Sequence, residues 1–361
     1  MFVRNTWYVA AWDAEVTDKP LARTILGKEV VLYRTSGGQV VALEDRCPHR
    51  HLPLSQGFLE GDTLVCGYHG MRFDSTGQCI RIPGQTRIPD AACVTAYPIV
   101  ERWGWVWIWM GEAALADPGK IVAIPQFDAP GWSVARGERM YFTGNYQLMT
   151  DNLLDPSHVS YVHRANLGNG AEAELPVETV QYGDVVTVSR IVPNTPPPAF
   201  FQPFGNFTGN VDRWQVYTVA LPSMCIVDTG TVATGPLDSI DLAAADPTAA
   251  ARLVSGTERK TVQVRGYDFM TPETETTSHY FWFLIRNFGV DDDAVGRQFI
   301  ASATVAFRED LVVVEAIQRE TDKKPARAPL TLGLDKGSVL ARRRVKEMIA
   351  AETAGATTLA G

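Results

Sequence analysis

The sequence predicts an α+β protein of two domains, a small β-sandwich followed by a larger domain in which an antiparallel sheet meets helices. Three observations support this. The first third of the chain is a series of short β-branched and aromatic runs separated by Gly and Asp/Ser turns. The remainder places strongly β-rich text between two helical segments. The chain is 361 residues long, more than one ordinary domain. The Pro/Gly-rich stretch from Asp117-Pro118-Gly119 to Pro130-Gly131 reads as the crossing between them, giving domains 1–118 and 119–361.

In the first domain, Val30-Val31-Leu32-Tyr33, Val40-Val41-Ala42-Leu43 and Val106-Trp107-Ile108-Trp109 are predicted strands, with turns at Ser36-Gly37-Gly38 and Asp74-Ser75-Thr76-Gly77. Trp103, Trp105, Trp107 and Trp109 alternate, which is expected to put four indoles on one strand face, as sheet core or domain interface. In the second domain the predicted strands are Val185–Val188, Trp214–Val219 and His279–Phe283. Helices are predicted over Asn145–Asp155 and across 297–320, where Ile300, Ala303, Phe307, Leu311, Val314 and Ile317 recur at helical spacing. Pro196-Pro197-Pro198 with Phe200, Phe201 and Phe204 reads as a loop over a pocket, and the Ala/Asp-rich stretch 237–257 as a lid. Arg342-Arg343-Arg344 reads as a solvated helix face.

Composition excludes several classes. A net charge of −8, from 33 basic and 41 acidic residues, argues against nucleic acid as a partner. No apolar run approaches the roughly 18 residues of a membrane helix. The N-terminal residues lack the pattern of a secretory signal, so a cytoplasmic enzyme is expected. Five cysteines, an odd number, argue against a disulfide scaffold.

Histidine is where the chemistry concentrates, because there are only six. Cys47-Pro48-His49 is followed, sixteen residues later, by Cys66-Gly67-Tyr68-His69. Each half offers one thiolate and one imidazole from a short loop. Two metal sites use this set: a tetrahedral zinc, or a Rieske [2Fe–2S] centre with two Cys on one iron and two His on the other. The spacing favours the second, because each loop then gives one ligand to each iron. His51 lies outside the pattern and reads as a loop or surface residue.

His158 and His163 form a second group. Five residues apart, they would stand about 140° apart on a regular helix. They can share a metal only if the helix ends or bulges between them, and Pro156-Ser157 suggests such a break. Two His and one carboxylate make the facial triad of non-haem Fe(II) oxygenases. With Phe307 taken as the centre of the 297–320 apolar face, Asp310 falls about 60° away at its edge and Glu309 on the opposite side. A carboxylate there is costly unless paired or metal-bound, which selects Asp310 over Glu309 and leaves a salt bridge as the other reading.

The residues now on view carry a resemblance over essentially the whole chain. C-P-H-R at 47–50 with Leu54, and C-x-Y-H-G at 66–70, resemble the two cluster loops of Rieske proteins. D-x2-H-x4-H at 155–163 and R-E-D-x-V-V-V-E at 308–315 resemble the iron-ligand segments of Rieske non-haem iron aromatic oxygenases. M-F-x-R-N-x-W-Y-V-A-A at the start, I-P-G-Q at 82–85 and T-P-E-T-E-T at 271–276 are similar to the subgroup of vanillate O-demethylase, dicamba O-demethylase and toluenesulfonate methyl-monooxygenase.

The resemblance implies a Rieske β-sandwich followed by a helix-grip domain with a curved antiparallel sheet. It implies a [2Fe–2S] cluster on Cys47, His49, Cys66 and His69, and a mononuclear Fe(II) on His158, His163 and Asp310. Gly70 would allow close approach to the inorganic sulfur, and Arg50 would help hold its loop. Asp155 would link a cluster histidine to the mononuclear site across a subunit boundary in a homotrimer, with Asn152 beside it. His279 would contact an anionic substrate, with Asn206 and Arg213 as weaker pocket candidates. The chain has no G-x-G-x-x-G after a strand and no second cysteine cluster, so the resemblance implies a terminal oxygenase fed by a separate NAD(P)H-dependent reductase. The implied reaction with O2 is oxidation of a methoxy or methyl group on a small aromatic acid. O-demethylation would release formaldehyde, whereas methyl hydroxylation would leave a benzylic alcohol. The reading from another class is a Rieske electron carrier without oxygenase activity, which would leave His158, His163 and Asp310 without a role.

Overall fold

The computed structural model describes residues 1–361 except 165–166, 169, 171, 235–239, 242–251, 254–260, 326 and 360–361. It divides into two compact units, Met1–Ile121 with Thr271–Glu275, and Val122–Met270 with Thr276–Gly361.

The first unit is built of three small antiparallel sheets. Strands β2 (Leu21–Ile25), β3 (Lys28–Arg34) and β4 (Val40–Glu44) form one; β1 (Trp7–Trp12) joins β10 (Trp105–Trp109) and β9 (Ile99–Arg102) in a second. The third is β5 (Phe58–Glu60), β6 (Thr63–Val65), β7 (Arg72–Phe73) and β8 (Cys79–Arg81). The continuous apolar runs of β3 and β4 follow from burial on both faces. Val30, Leu32, Val40 and Ala42 enter one core with Val106 and Ile108. Val31, Tyr33, Val41 and Leu43 enter a second core with Cys47, Leu54, Cys66, Met71 and Phe73. The two cysteine loops are thus rooted in the second core.

Three of the four alternating tryptophans share a face of β10; the fourth does not. Trp103 and Gly104 both have positive φ (57° and 78°) and make the two-residue turn between β9 and β10. Trp103 still reaches Trp107 edge-on at 6.4 Å, while Trp105 and Trp109 pack on Trp12 and Trp7 of the neighbouring strand.

The second unit is dominated by an eight-stranded antiparallel sheet. Its strands are β11 (Ser133–Arg136), β12 (Met140–Phe142), β13 (Glu178–Tyr182), β14 (Val185–Thr195), β15 (Val211–Ala220), β16 (Met224–Ala233), β19 (Thr261–Thr274) and β20 (Thr277–Arg286). The order is β11-β20-β19-β16-β15-β14-β13, with β12 also pairing β20. The expected lid at 237–257 lies outside the described residues apart from two paired two-residue strands, β17 (Ile240–Asp241) and β18 (Arg252–Leu253).

Helices cover one face of this sheet. They are α1 (Tyr146–Leu153), α2 (Val159–Val162), α3 (Gln202–Gly205), α4 (Asp293–Lys323) and α5 (Lys336–Leu359). Asn145 caps α1 by accepting from the Gln147 N–H, and Asp292 caps α4 by accepting from the Ala294 N–H. Phe307 of α4 meets Tyr280 and Trp282 edge-on at 5.4 and 4.8 Å. The buried stripe of α4 runs through Phe299, Ala303, Ala306, Asp310, Val314 and Gln318. Asp310 therefore lies in the middle of the stripe rather than at its edge, and Ile317, expected inside, is 46% exposed. The apolar count misjudged the centre because a carboxylate and an amide occupy core positions. Arg342 is not simply a solvated face either: its guanidinium donates to Asp151 at 2.7 Å and ties α5 to α1.

Gly230 of β16 faces Trp214 of β15, and a Cβ there would fall 2.2 Å from the fully buried indole and 2.7 Å from the Val262 carbonyl oxygen. Gly230→Ala is therefore expected to destabilise the second unit by about 1–3 kcal/mol, seen as a lower melting temperature by circular dichroism. An unchanged melt would show that Trp214 repacks freely.

Candidate iron centres

The two cysteine loops are the same turn made twice. The His51 N–H donates to the Cys47 carbonyl at 2.9 Å, and the Gly70 N–H donates to the Cys66 carbonyl at 3.0 Å. Each turn closes on a left-handed residue, His51 at φ 61° and Gly70 at φ 70°. Both cysteines are 2% exposed, whereas His49 and His69 stand at the surface with ring centroids 4.6 Å apart. Burial, the largest influence, together with the neighbouring Cys66 pushes the Cys47 thiol up to about 11, although N–H donors from His49 and Arg50 act the other way. Two thiols on the buried side and two imidazoles on the outer side match the donor split of a two-iron cluster. Arg50 and His51 are exposed.

The second group converges in the other unit. After α1 the chain breaks at Leu154–Ser157, and His158 and His163 then flank α2, a single helical turn, as its N-cap and C-cap residues. The expected break falls before His158 and not between the two histidines: His158 keeps helical φ and ψ (−60°, −29°), and only His163 (−108°, 26°) departs from the helix. Their rings lie 5.2 Å apart, and one ligand atom from each of His158, His163 and Asp310 falls within 4.8 Å of the others. Asp310 Oδ1 is 3.1 Å from His163 Nε2 and 3.5 Å from His158 Nε2.

The remaining hydrogen bonds orient these groups. His158 Nδ1 faces the Asp155 carbonyl oxygen, and His163 Nδ1 lies 2.7 Å from Glu309 Oε2. Both Nδ1 atoms thus meet acceptors and carry protons, which aims both Nε2 atoms at Asp310. Asn152 Nδ2 donates to Asp310 Oδ1 at 3.1 Å. Burial holds His158 below the ordinary imidazole range. For His163 burial also acts downward and is the largest single influence, yet Asp310 and Glu309 together leave it raised. Two imidazole nitrogens and a carboxylate that is 2% exposed aimed at one point are the donor set of a divalent metal.

The three groups open onto a narrow apolar cavity. Its walls include Leu153, Phe200, Val264, Leu284, Ala303 and Phe307, and its polar members besides the triad are Tyr217, Thr229 and Asp268. Phe200 does line the pocket, as the Pro-rich loop suggested. Asp268 is fully buried, and burial, opposed by Tyr280 and assisted by Asp310, raises its carboxyl to about 7.

His279 is not among the residues of this cavity. It is 5% exposed on β20, and strand alternation sends Tyr280, Trp282 and Leu284 to the helix side and His279 to the other. There it contacts Arg139 at 3.3 Å and packs near Tyr141. Arg213 is also a supporting residue: it meets Glu172 at 3.3 Å and is not among the cavity residues. Asn206 is the left-handed C-cap of α3. Asp155 Oδ1 accepts from the Ser157 N–H at 2.8 Å, a local turn that shapes the approach to His158.

Three supporting groups escaped the sequence reading. Glu309, set aside for facing away from Phe307, holds His163 from the side. Arg190 donates to the Pro156 and Glu172 carbonyls, both at 2.6 Å, and to Gln215 at 2.7 Å, fixing the segment that leads into His158. Gln215 in turn donates to the Tyr217 oxygen at 3.1 Å. The signal was present as polar residues at every second position of β15, Arg213, Gln215 and Tyr217, which lie on the helix-facing side.

A fold of this kind with this pair of metal-binding constellations defines a Rieske non-haem iron oxygenase, and the comparisons agree. The Rieske [2Fe-2S] domain model matches residues 6–98, and the vanillate O-demethylase oxygenase C-terminal domain model matches residues 142–351. The chain belongs to this family, as a terminal oxygenase component carrying a Rieske [2Fe–2S] cluster and a mononuclear non-haem iron site. Within it the chain falls in the vanillate, dicamba and toluenesulfonate subgroup. It is 39% identical to the toluene-4-sulfonate monooxygenase system iron-sulfur subunit TsaM1 of Comamonas testosteroni, over 98% of this chain and 99% of that one. It is 37% identical to the vanillate O-demethylase oxygenase subunit of a Pseudomonas species, strain HR199, over 98% and 96%. The crystal structure of dicamba monooxygenase bound to 3,6-dichlorosalicylic acid superposes with a TM-score of 0.85 at 36% identity, covering 98% of this chain and 99% of that one. Among the described residues no helix is long and apolar enough to cross a membrane.

Two expectations follow from this geometry. Cys66→Ala should abolish the visible spectrum of the cluster, whereas His158→Ala should keep the colour and lose oxygenation. Retention of the spectrum in the first, or of turnover in the second, would remove that residue from its site. The left-handed φ of His51 costs an L-residue roughly 1–2 kcal/mol. His51→Gly is therefore expected to keep or raise the melting temperature of the cluster absorbance, and His51→Val to lower it. Equal melts for the two variants would show that the turn relaxes.

Proposed function

We propose that this chain is the oxygenase of a multicomponent monooxygenase that O-demethylates a small methoxylated aromatic acid, releasing formaldehyde. The observation that carries the reading is the apolar cavity over the three-ligand site, narrow and walled by flat and branched side chains that suit an aromatic ring. The 37% identity with a vanillate O-demethylase subunit, over 98% of the chain, supports the methoxy group as the point of attack. A second reading, hydroxylation of an aryl methyl group to a benzylic alcohol, is favoured by the 39% identity to the toluene-4-sulfonate system.

In this reading Cys47 and Cys66 hold one iron of the cluster and His49 and His69 the other, while His158, His163 and Asp310 hold the mononuclear iron. The bound groups supply stored electrons and the activation of dioxygen. The protein's own part is positioning. Asn152 fixes the Asp310 carboxylate, Glu309 and the Asp155 carbonyl fix the two imidazoles, and Arg190 fixes the turn between Asp155 and His158. Leu153, Val264, Leu284 and Phe307 exclude water and hold the ring. Burial raises the Tyr217 phenol, so it stays protonated and can donate to a phenolate oxygen freed when formaldehyde departs.

Electrons come from a separate NAD(P)H-dependent reductase, and the working form is a homotrimer. In it Asp155 lies between the cluster of one subunit and the mononuclear iron of the next. The assay is turnover with a surrogate reductase on methoxylated and methylated aromatic acids. Formaldehyde is the expected product; benzylic alcohol alone would favour the second reading, and neither would remove both.

Asp155→Asn tests the electron route. The amide keeps the acceptor for the Ser157 N–H but loses the charge. Both irons should stay loaded while single-turnover reoxidation of the pre-reduced cluster slows by orders of magnitude. Wild-type rates at full iron content would reduce Asp155 to a turn former.

A further inference from the structure

The cavity wall contains one polar atom that the reading above leaves without use. Asp268, on β19, is fully buried. Its Oδ1 accepts from the Tyr280 hydroxyl at 2.7 Å. Its Oδ2 is inaccessible to bulk solvent and, among the described residues, meets no donor. A carboxylate oxygen in that state is among the most costly of buried polar atoms.

Its surroundings show where Oδ2 is directed. Asp268 and Gly266 are both residues of the cavity, on the same face of β19. A Cβ at Gly266 would come 3.3 Å from Asp268 Oδ2, 3.5 Å from Leu284 Cδ2 and 3.6 Å from Val227 Cβ. The glycine therefore leaves room above the sheet into which the oxygen projects. The other polar groups of the wall do not offer a free anionic acceptor: Thr229 donates to the Trp214 carbonyl at 3.1 Å, and the Tyr217 oxygen accepts from Gln215, which leaves Tyr217 as a donor. Among the described cavity residues no Lys or Arg stands opposite Asp268.

We propose that Asp268 is a specificity-determining residue whose free carboxylate oxygen accepts a hydrogen bond from a phenolic hydroxyl on the substrate, so that the preferred substrate is a methoxyarene bearing a free hydroxyl group. This rests on the reading that the cavity holds the aromatic ring. When ionised, Asp268 also disfavours a substrate carboxylate beside it and so turns that group toward another part of the cavity. Asp268 thus selects both for the hydroxyl and for the orientation of the ring.

The test is equilibrium binding by calorimetry at a pH well above 7, where the raised Asp268 carboxyl is ionised, under anaerobic conditions without reductant and using the iron-loaded protein. The probes are 4-hydroxy-3-methoxybenzoate and 3-methoxybenzoate, which differ only in the hydroxyl. The wild-type protein is expected to bind the hydroxylated probe roughly tenfold or more tightly, the effect of one hydrogen bond to a charged acceptor. In Asp268→Asn the acceptor charge is gone, and the ratio should fall at least threefold. Gly266→Ala, which places a methyl group against Oδ2 while keeping the Tyr280 bond, should lower the ratio as well and serves if Asp268→Asn loses the cluster colour. Equal affinity of the two probes for the wild-type protein, or an unchanged ratio in the variants, would overturn the proposal. The outcomes separate it from the demethylase reading: formaldehyde from both probes with equal affinities sinks the role of Asp268 alone. A tenfold preference without formaldehyde sinks the reaction and leaves the hydroxyl recognition standing.

Discussion

One buried carboxylate constrains the second unit. Asp310 sits in the middle of the inward stripe of a 31-residue helix, 2% exposed, where an apolar side chain would ordinarily lie. Such a group is tolerated only with a cation and with donors for its lone pairs. Two imidazole nitrogens and the Asn152 amide are brought to it, and each is fixed from behind by Glu309, the Asp155 carbonyl or packing. The interruption between α1 and α2 re-aims the turn that carries both histidines, and α2 ends at His163 after a single turn.

The sheet supplies the other half of the enclosure. Strand alternation gives β14 and β15 a polar pair, Arg190 opposite Gln215, on the helix-facing side, beside the wholly apolar positions Val188 and Val219. Arg190 spends its donors on main-chain carbonyls and an amide, not on a carboxylate. A buried guanidinium bonded to the backbone holds a loop in one conformation without adding a competing anion beside the metal ligands. Farther along, the wall becomes apolar, which is what a ring-binding cavity needs. Asp268 is the one ionisable carboxyl of that wall outside the triad, and its position on the cavity face beside Gly266 makes it a feature of the cavity.

The first unit solves a different problem by repetition. Two turns with the same carbonyl-to-amide closure, each ending in a left-handed residue, present a buried thiol and an exposed imidazole apiece. Both are anchored in one core through Leu54, Met71 and Phe73. The thiols are thereby kept from solvent, and the imidazoles are left at the surface.

The sequence by itself determined what depends on local spacing. The cysteine–histidine loops, the helix beginning near Asn145, the break before His158 and the strand Val30–Tyr33 are all written within a few residues of where they act. It also singled out Asp310, because helical periodicity separates neighbours by about 100°. Only the tertiary structure decided which face of an element looks inward. His279 and Tyr280 are adjacent on a strand buried on both faces, so no polar alternation marks which one meets the cavity, and the packing of Phe307 against Tyr280 settles it. Glu309 lies outside the buried stripe of its helix yet reaches His163, a contact between residues 146 positions apart. The free oxygen of Asp268 likewise exists only once β19, β20 and α4 are assembled around it. Parity, burial and long-range pairing are properties of the assembled packing, and a local pattern carries no record of them.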